Sequence, residues 1–284
     1  MGPIRLAFSP DSDDIFMFWP LLHGKIDTEG LAFTHERADT EALNRRAERE
    51  DVDVLAVSIA RYASLSSSWL LLPHGASVGR GYGPVLVAKS PEPLEHFALA
   101  RIGVPGLHTT AYFVLRLLLP KFDARVVPIA PYTRAFEALR DGEVDAVLLI
   151  HEGRLLFERE GLHKIVDIGE QWGRQTGGLP LPLGGNVIRR ALGQDRIAQV
   201  SRLCQASIAW SLEHRDTVMA ALLVEETRDG LALDRSLLDR YLAMYANADS
   251  LHFAPDAREA VELLFLRAKA AGLIAGEVHA EFAP

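Results

Sequence analysis

Short apolar runs alternate with helix-patterned segments through the first half of the chain. Ile4 to Phe8 reads as a strand. The polar loop Ser9-Pro10-Asp11-Ser12-Asp13-Asp14 follows, and Ile15 to His23 is patterned as a helix with Gly24 as its C-cap. Leu31 to Glu36 is a second strand, Thr40 caps a helix through Arg49, and Val52 to Ser58 is a third strand. Consecutive strands separated by helices need crossover connections, so this order predicts parallel pairing with helices on the sheet faces, an α/β class.

The unit recurs. Thr40 to Arg49 is followed by Val52-Asp53-Val54-Leu55-Ala56-Val57 and then Ser58. Thr133 to Arg140 is followed by Gly142, Val144-Asp145-Ala146-Val147-Leu148-Leu149-Ile150 and then His151. Each copy runs helix, tight turn, Val-Asp, apolar strand and one polar residue at the strand's carboxyl end, which predicts two similar α/β lobes. Between the copies, Val85 to Lys89 and Ile102 to Val104 are strands, Pro91 and Pro93 mark a linker, and Pro105-Gly106 turns into a helix from Thr110 to Leu119 that Pro120 stops. A second extended crossing follows at Leu179 to Gly185, and after Arg190 the pattern is helical. The expected organisation is residues 1–88 as the first part of one lobe, 89–188 as the other lobe, and 189–284 as a helical return to the first. Ligand belongs between the lobes, at the carboxyl ends of the strands.

Composition narrows the functional classes. The net charge of the 284 residues is −8, which argues against a nucleic-acid partner. The single cysteine, Cys204, excludes an intrachain disulfide. The longest apolar runs fall far short of the roughly 20 residues that span a bilayer, and the acids Asp11, Asp13 and Asp14 interrupt any leader-like start. A soluble, cytoplasmic protein without membrane partners is the expectation.

Three catalytic motifs fail on context. Gly75-Ala76-Ser77-Val78-Gly79 has the spacing of a serine-hydrolase elbow, but glycines and a strand follow it instead of a helix. Gly79-Arg80-Gly81-Tyr82-Gly83-Pro84 lacks the third glycine of a dinucleotide loop. His151-Glu152-Gly153-Arg154 begins like a zinc-protease helix, but Leu155 stands where the second histidine belongs. No metal is expected.

Other residues carry more. His108, Thr109 and Thr110 sit where a turn meets a helix start, a place suited to capping and to binding a carboxylate or phosphate. His151 ends an apolar strand, and its side chain titrates near neutrality, so it is a candidate general base. Asp11, Asp13 and Asp14 either cap the following helix or line the crevice, where a carboxylate pair accepts from ligand hydroxyls. Ser58, at the corresponding strand end, and Arg80, in the first crossing, complete the candidate substrate contacts.

Five segments occur together in an order that resembles one family. They are Phe8 to Phe16, Gly79 to Pro84, Val104-Pro105-Gly106-Leu107-His108-Thr109-Thr110-Ala111-Tyr112-Phe113, Ile150 to Arg154, and Gly178-Leu179-Pro180-Leu181-Pro182-Leu183-Gly184. The chain resembles the 1,4-dihydroxy-6-naphthoate synthases of the futalosine route to menaquinone over nearly its whole length. The resemblance implies the two-lobed, type 2 periplasmic-binding-protein-like fold, with mixed sheets flanked by helices. It also implies a lyase that converts cyclic dehypoxanthine futalosine, an anionic small molecule, to 1,4-dihydroxy-6-naphthoate without metal or cofactor. It puts the base at His151 and the family's paired threonines at Thr109 and Thr110. This chain departs from the family's Ser-Pro-Cys-Pro-Asn-Asp-Thr-Phe string at Asp11, Ser12, Asp13 and Ile15. A chorismate dehydratase-like enzyme and a non-catalytic receptor for small anions are the competing readings on the same fold.

Overall fold

In the computed structural model, residues 2–129, 131, 133–225 and 233–284 are described. Two sheets form. The first carries β1 (Ile4–Phe8), β2 (Phe33–Arg37), β3 (Val54–Ser58), β4 (Trp69–Leu71) and β5 (Ser77–Gly79), and takes β11 (Leu181–Arg189) from far along the chain. The second carries β6 (Val85–Ala88), β7 (Arg101–Val104), β8 (Asp123–Val126), β9 (Ala146–Leu149) and β10 (His163–Asp167). Their orders are β2-β1-β3-β11-β4, with β5 also on β11, and β10-β6-β9-β7-β8.

Parallel pairing holds where helices connect neighbouring strands: β1 with β2 and β3, and β7 with β8 and β9. Both sheets are nevertheless mixed. The strands that follow the two crossings, β6 and β11, run antiparallel to their neighbours, with Leu86 opposite Leu148 and Val57 opposite Gly185. This also moves the crossings from the expected 88 and 188. β6 already belongs to the second sheet and β11 to the first, so the chain changes sheets between 79 and 85 and between 167 and 181. Periodicity marks β6 as an apolar strand, but which sheet it joins is decided by burial on both faces and pairing on both edges.

The helices are α1 (Ser12–Leu22), α2 (Thr40–Arg46), α3 (Ile59–Tyr62), α4 (Thr110–Leu118), α5 (Thr133–Arg140), α6 (Ile168–Gln175), α7 (Gln194–Glu213), α8 (Arg215–Glu225), α9 (Arg235–Tyr245), α10 (Ala248–Leu251) and α11 (Pro255–Ala270). Helix α2 is capped by Asp39, which accepts from the Ala42 amide at 2.9 Å, and not by Thr40. Helices α7, α8 and α9 pack on α1 over one face of the first sheet, burying Leu6, Phe8, Phe16, Leu203 and Leu238. Each such side chain contributes about 1.5–3 kcal/mol by leaving water. On the other face, α11 touches β11, α3 and α4, and so ties the C-terminal segment to both lobes. Among the described residues, no helix is long and apolar enough to cross a membrane.

Candidate active site

The two lobes face each other across a cleft holding about 740 Å³ of atom-free space, counting the part open to solvent. The equivalent strand ends of the repeated unit meet there: Ser58 closes β3, and His151 stands two residues beyond β9. His151 opens a short 3-10 turn, His151–Leu155, with φ of +49°. Left-handed backbone is unusual for a non-glycine residue and is held at a cost of roughly 1–3 kcal/mol where the surroundings over-determine it.

Its imidazole is gripped by the opposite lobe. Nε2 lies 3.1 Å from the Thr40 hydroxyl and 3.4 Å from Asp11 Oδ2, while Nδ1 lies 3.3 Å from the Tyr241 hydroxyl. Tyr241 donates to Asp13 Oδ1 at 2.9 Å, and Ser77 donates to Asp13 Oδ2 at 2.8 Å. Glu152, wholly buried, accepts from the Ser12 hydroxyl at 2.8 Å. Four carboxyl groups thus surround one imidazole. Burial alone would lower the His151 pKa, but Asp11, Asp13, Glu152 and Asp14 together outweigh it and raise the pKa above the ordinary 6.5. Burial pushes the Asp13 pKa up, with Asp11 and Glu152 adding to it and His151 and Ser77 opposing. Burial and then Asp13 push Asp14 up to about 7, against the hydrogen bonds from Ser9. Asp14 therefore keeps its proton to a much higher pH than the same group in water.

Thr109 and Thr110 line the same cleft as His151. Their hydroxyls are engaged within the protein. Thr109 caps α4 by accepting from the Tyr112 amide at 3.2 Å, and donates to the Gly106 carbonyl at 2.9 Å. Thr110 donates to the Leu183 carbonyl at 2.7 Å and accepts from the Ala60 amide at 3.1 Å, joining α4 to the other lobe. What α4 offers a ligand is its positive end, where the first-turn amides of Thr110 and Ala111 have no acceptor within the helix. Ser58 lines the cleft too, its hydroxyl accepting from Asn44 Nδ2 at 3.1 Å.

Two expected contacts lie elsewhere. Arg80 is not among the residues lining the cleft: its guanidinium is locked by Asp249, at 2.6 and 2.7 Å, and by Asp256, at 2.7 and 3.1 Å. A paired guanidinium next to two acids has no charge to spare for a ligand, and a glycine-rich segment does not announce those distant partners. His108 is also off the cleft wall. Its Nδ1 lies 2.7 Å from Glu41 Oε1, on the other lobe. Among the described residues that line the cleft there is no lysine or arginine.

Sequence reading missed Tyr241, Thr40, Ser77 and Glu152. Tyr241 belongs to an apolar helical stripe and looks like core, which its ring is; only its hydroxyl reaches the site. Ser77, central to a false hydrolase motif, serves as a donor to Asp13 from β5. Among the described residues, no group of three histidine, cysteine or acidic side chains is arranged to hold a metal ion.

A family described as menaquinone biosynthesis matches residues 4–270. The 1,4-dihydroxy-6-naphtoate synthase of Thermus thermophilus is 36% identical over 276 residues, 97% of this chain and 97% of that protein. The protein of the same name from Streptomyces coelicolor is 32% identical over 289 residues, covering 95% and 94%. The crystal structure of protein AF1704 from Archaeoglobus fulgidus superposes with a TM-score of 0.87 at 38% identity, covering 96% of this chain and 98% of that one. The alkanesulfonate-binding protein SsuA from Xanthomonas axonopodis pv. citri, bound to MOPS, superposes with a TM-score of 0.72 at 14% identity over 99% and 96%. That last likeness concerns the fold, which is periplasmic-binding-protein-like.

Proposed function

The chain belongs to the menaquinone-biosynthesis family that includes the 1,4-dihydroxy-6-naphthoate synthases, and on that footing we propose that it is a lyase converting cyclic dehypoxanthine futalosine to 1,4-dihydroxy-6-naphthoate, with His151 as general base. The observation that carries this reading is the shared cleft: an imidazole on left-handed backbone, backed by carboxyl groups, lines the same space as the positive end of α4.

The parts divide the substrate between them. The first-turn amides of α4 suit its carboxylate, since a helix N-terminus favours negative charge. Leu43, Val57 and Leu183 give an apolar wall for the ring system. Asp13, Asp14 and Ser58 accept from the hydroxyls of the sugar-derived part. His151 takes a C–H proton from the substrate, the C–H electron pair completes the aromatic ring as the bond to the sugar-derived fragment breaks, and the fragment departs with that bond's electron pair and takes a proton back from the imidazolium. The closed lobes keep water from the reacting centre.

Incubation of the purified protein with cyclic dehypoxanthine futalosine, followed by mass spectrometry, tests the substrate. Appearance of the naphthoate supports the proposal. An intact ligand held tightly without turnover would favour a receptor, and turnover of chorismate instead would favour a dehydratase. His151→Ala should lower kcat by at least ~10², the low end of what a general base contributes. Turnover near that of the wild type would remove His151 from the mechanism. Because the base must be unprotonated and its pKa is raised, kcat/KM should climb with pH through a midpoint above 6.5.

A further inference from the structure

Resting on the reading of His151 as the base, we propose that Tyr241 and Asp13 are positioning residues that hold the imidazole hydrogen on Nδ1 and leave Nε2 as the nitrogen that takes the substrate proton. A phenol has a single hydrogen, and Tyr241 donates it to Asp13 Oδ1 at 2.9 Å. Towards Nδ1 of His151, 3.3 Å away, its oxygen then acts as an acceptor, so Nδ1 must carry a hydrogen. A neutral imidazole has one N–H, and Nε2 is left with its lone pair.

Asp13 is itself fixed in the orientation this requires. Its second oxygen accepts from Ser77 on β5, so the carboxylate cannot swing away without losing a partly buried hydrogen bond. Tyr241 is fully buried and Asp13 nearly so. His151 Nδ1–H thus donates to Tyr241, and Tyr241 and Ser77 both donate to Asp13, across the seam between the lobes. On the Nε2 side stand the Thr40 hydroxyl and Asp11 Oδ2.

The proton balance is simple. A substrate C–H proton moves to Nε2, Nδ1 keeps its hydrogen throughout, and nothing is oxidised or reduced. The imidazolium so formed is stabilised by Asp11 directly and by Asp13 through one hydroxyl. The charged or titratable groups facing it are Asp11, Asp13 and Asp14 from α1, Tyr241 from α9, and Glu152 from its own turn. Removing the Tyr241 hydroxyl frees the ring to take its hydrogen on either nitrogen and takes away the link to Asp13.

The test is nitrogen NMR on the full-length protein with labelled histidine, His151 being assigned by its loss in His151→Gln. Above its titration, wild-type His151 should show a protonated Nδ1 and a bare Nε2. In Tyr241→Phe, Nε2–H should become populated and the acid limb of the pH profile should shift. The same variant should lose at least ~10-fold in kcat while KM stays within ~3-fold, less than the ~10²–10⁴ of the base itself. Asp13→Asn, which can still accept from Tyr241, should keep the wild-type tautomer, whereas Asp13→Ala should not. Hydrogen on Nε2 in the wild type, or an unchanged tautomer and pH profile in Tyr241→Phe, would overturn the proposal. The tautomer is read without turnover, so a failure of His151 as base, seen as an active His151→Ala, is separable from a failure here.

Discussion

Asp14 shows how one residue's environment becomes a property of the protein. Its pKa is raised from 3.8 to about 7, first by burial and then by Asp13. A carboxyl group whose folded pKa is raised binds its proton more tightly in the native state. Folded Asp14 therefore contributes most below pH 3.8, and stability falls as pH rises from there to 7. Asp14→Asn, which can still accept from the Ser9 amide, should raise Tm more at pH 8 than at pH 4, by ~2–4 °C for each kcal/mol recovered. An equal gain at both pH values, in thermal scans, would show that ionisation of Asp14 carries no cost. His151 is the residue most legible beforehand, because a polar side chain ending an apolar strand is visible in the string. Its left-handed backbone and its ring of acids are not, since Asp11, Asp13 and Asp14 read equally well as ordinary helix-start residues.

At the scale of elements, capping was read correctly in kind but not always in place. Thr109 caps α4 as a threonine before an apolar helix should. Asp39 displaces Thr40 as the cap of α2, and that shift frees the Thr40 hydroxyl to face His151. The first crossing is held against α6 by direct backbone contact. A Cβ on Gly169 would stand 2.1 Å from the Tyr82 carbonyl and 2.5 Å from the Gly83 nitrogen. Backbone cannot swing aside as a flexible side chain can. Gly169→Ala should therefore destabilise by roughly 1–3 kcal/mol, the cost of overpacking, in denaturant unfolding. A change under ~0.5 kcal/mol would mean the crossing is free to shift. Strand β5 was hidden in a glycine-rich stretch, where periodicity is absent and only pairing with β11 makes a strand.

At the scale of the molecule, the lobes meet both at the cleft's edge and within it. His108 pairs with Glu41 at 2.7 Å on one side, and Ser12 reaches Glu152 at 2.8 Å deep in the site. The His108–Glu41 contact, with His108 partly exposed and Glu41 buried, joins the lobes without belonging to the cleft wall. A partly exposed pair of this kind contributes at most about 1 kcal/mol. His108→Ala should raise KM by up to about fivefold at nearly constant kcat, and X-ray scattering should show a larger radius of gyration for the free protein. A KM and radius unchanged from wild type would assign closure to the buried contacts instead.

The amino-acid string alone determined the α/β class, the duplicated helix-to-strand unit, the helical return and the polar residues at the two strand ends, because each is written in local periodicity and short spacing. Tertiary structure alone decided which sheet β6 and β11 join, that Arg80 is spent on Asp249 and Asp256, and that Tyr241, Asp13 and Ser77 converge behind His151. Those partners are separated by 64 to 228 positions. Contacts over such distances follow from packing two sheets and their helices together, which no local pattern encodes.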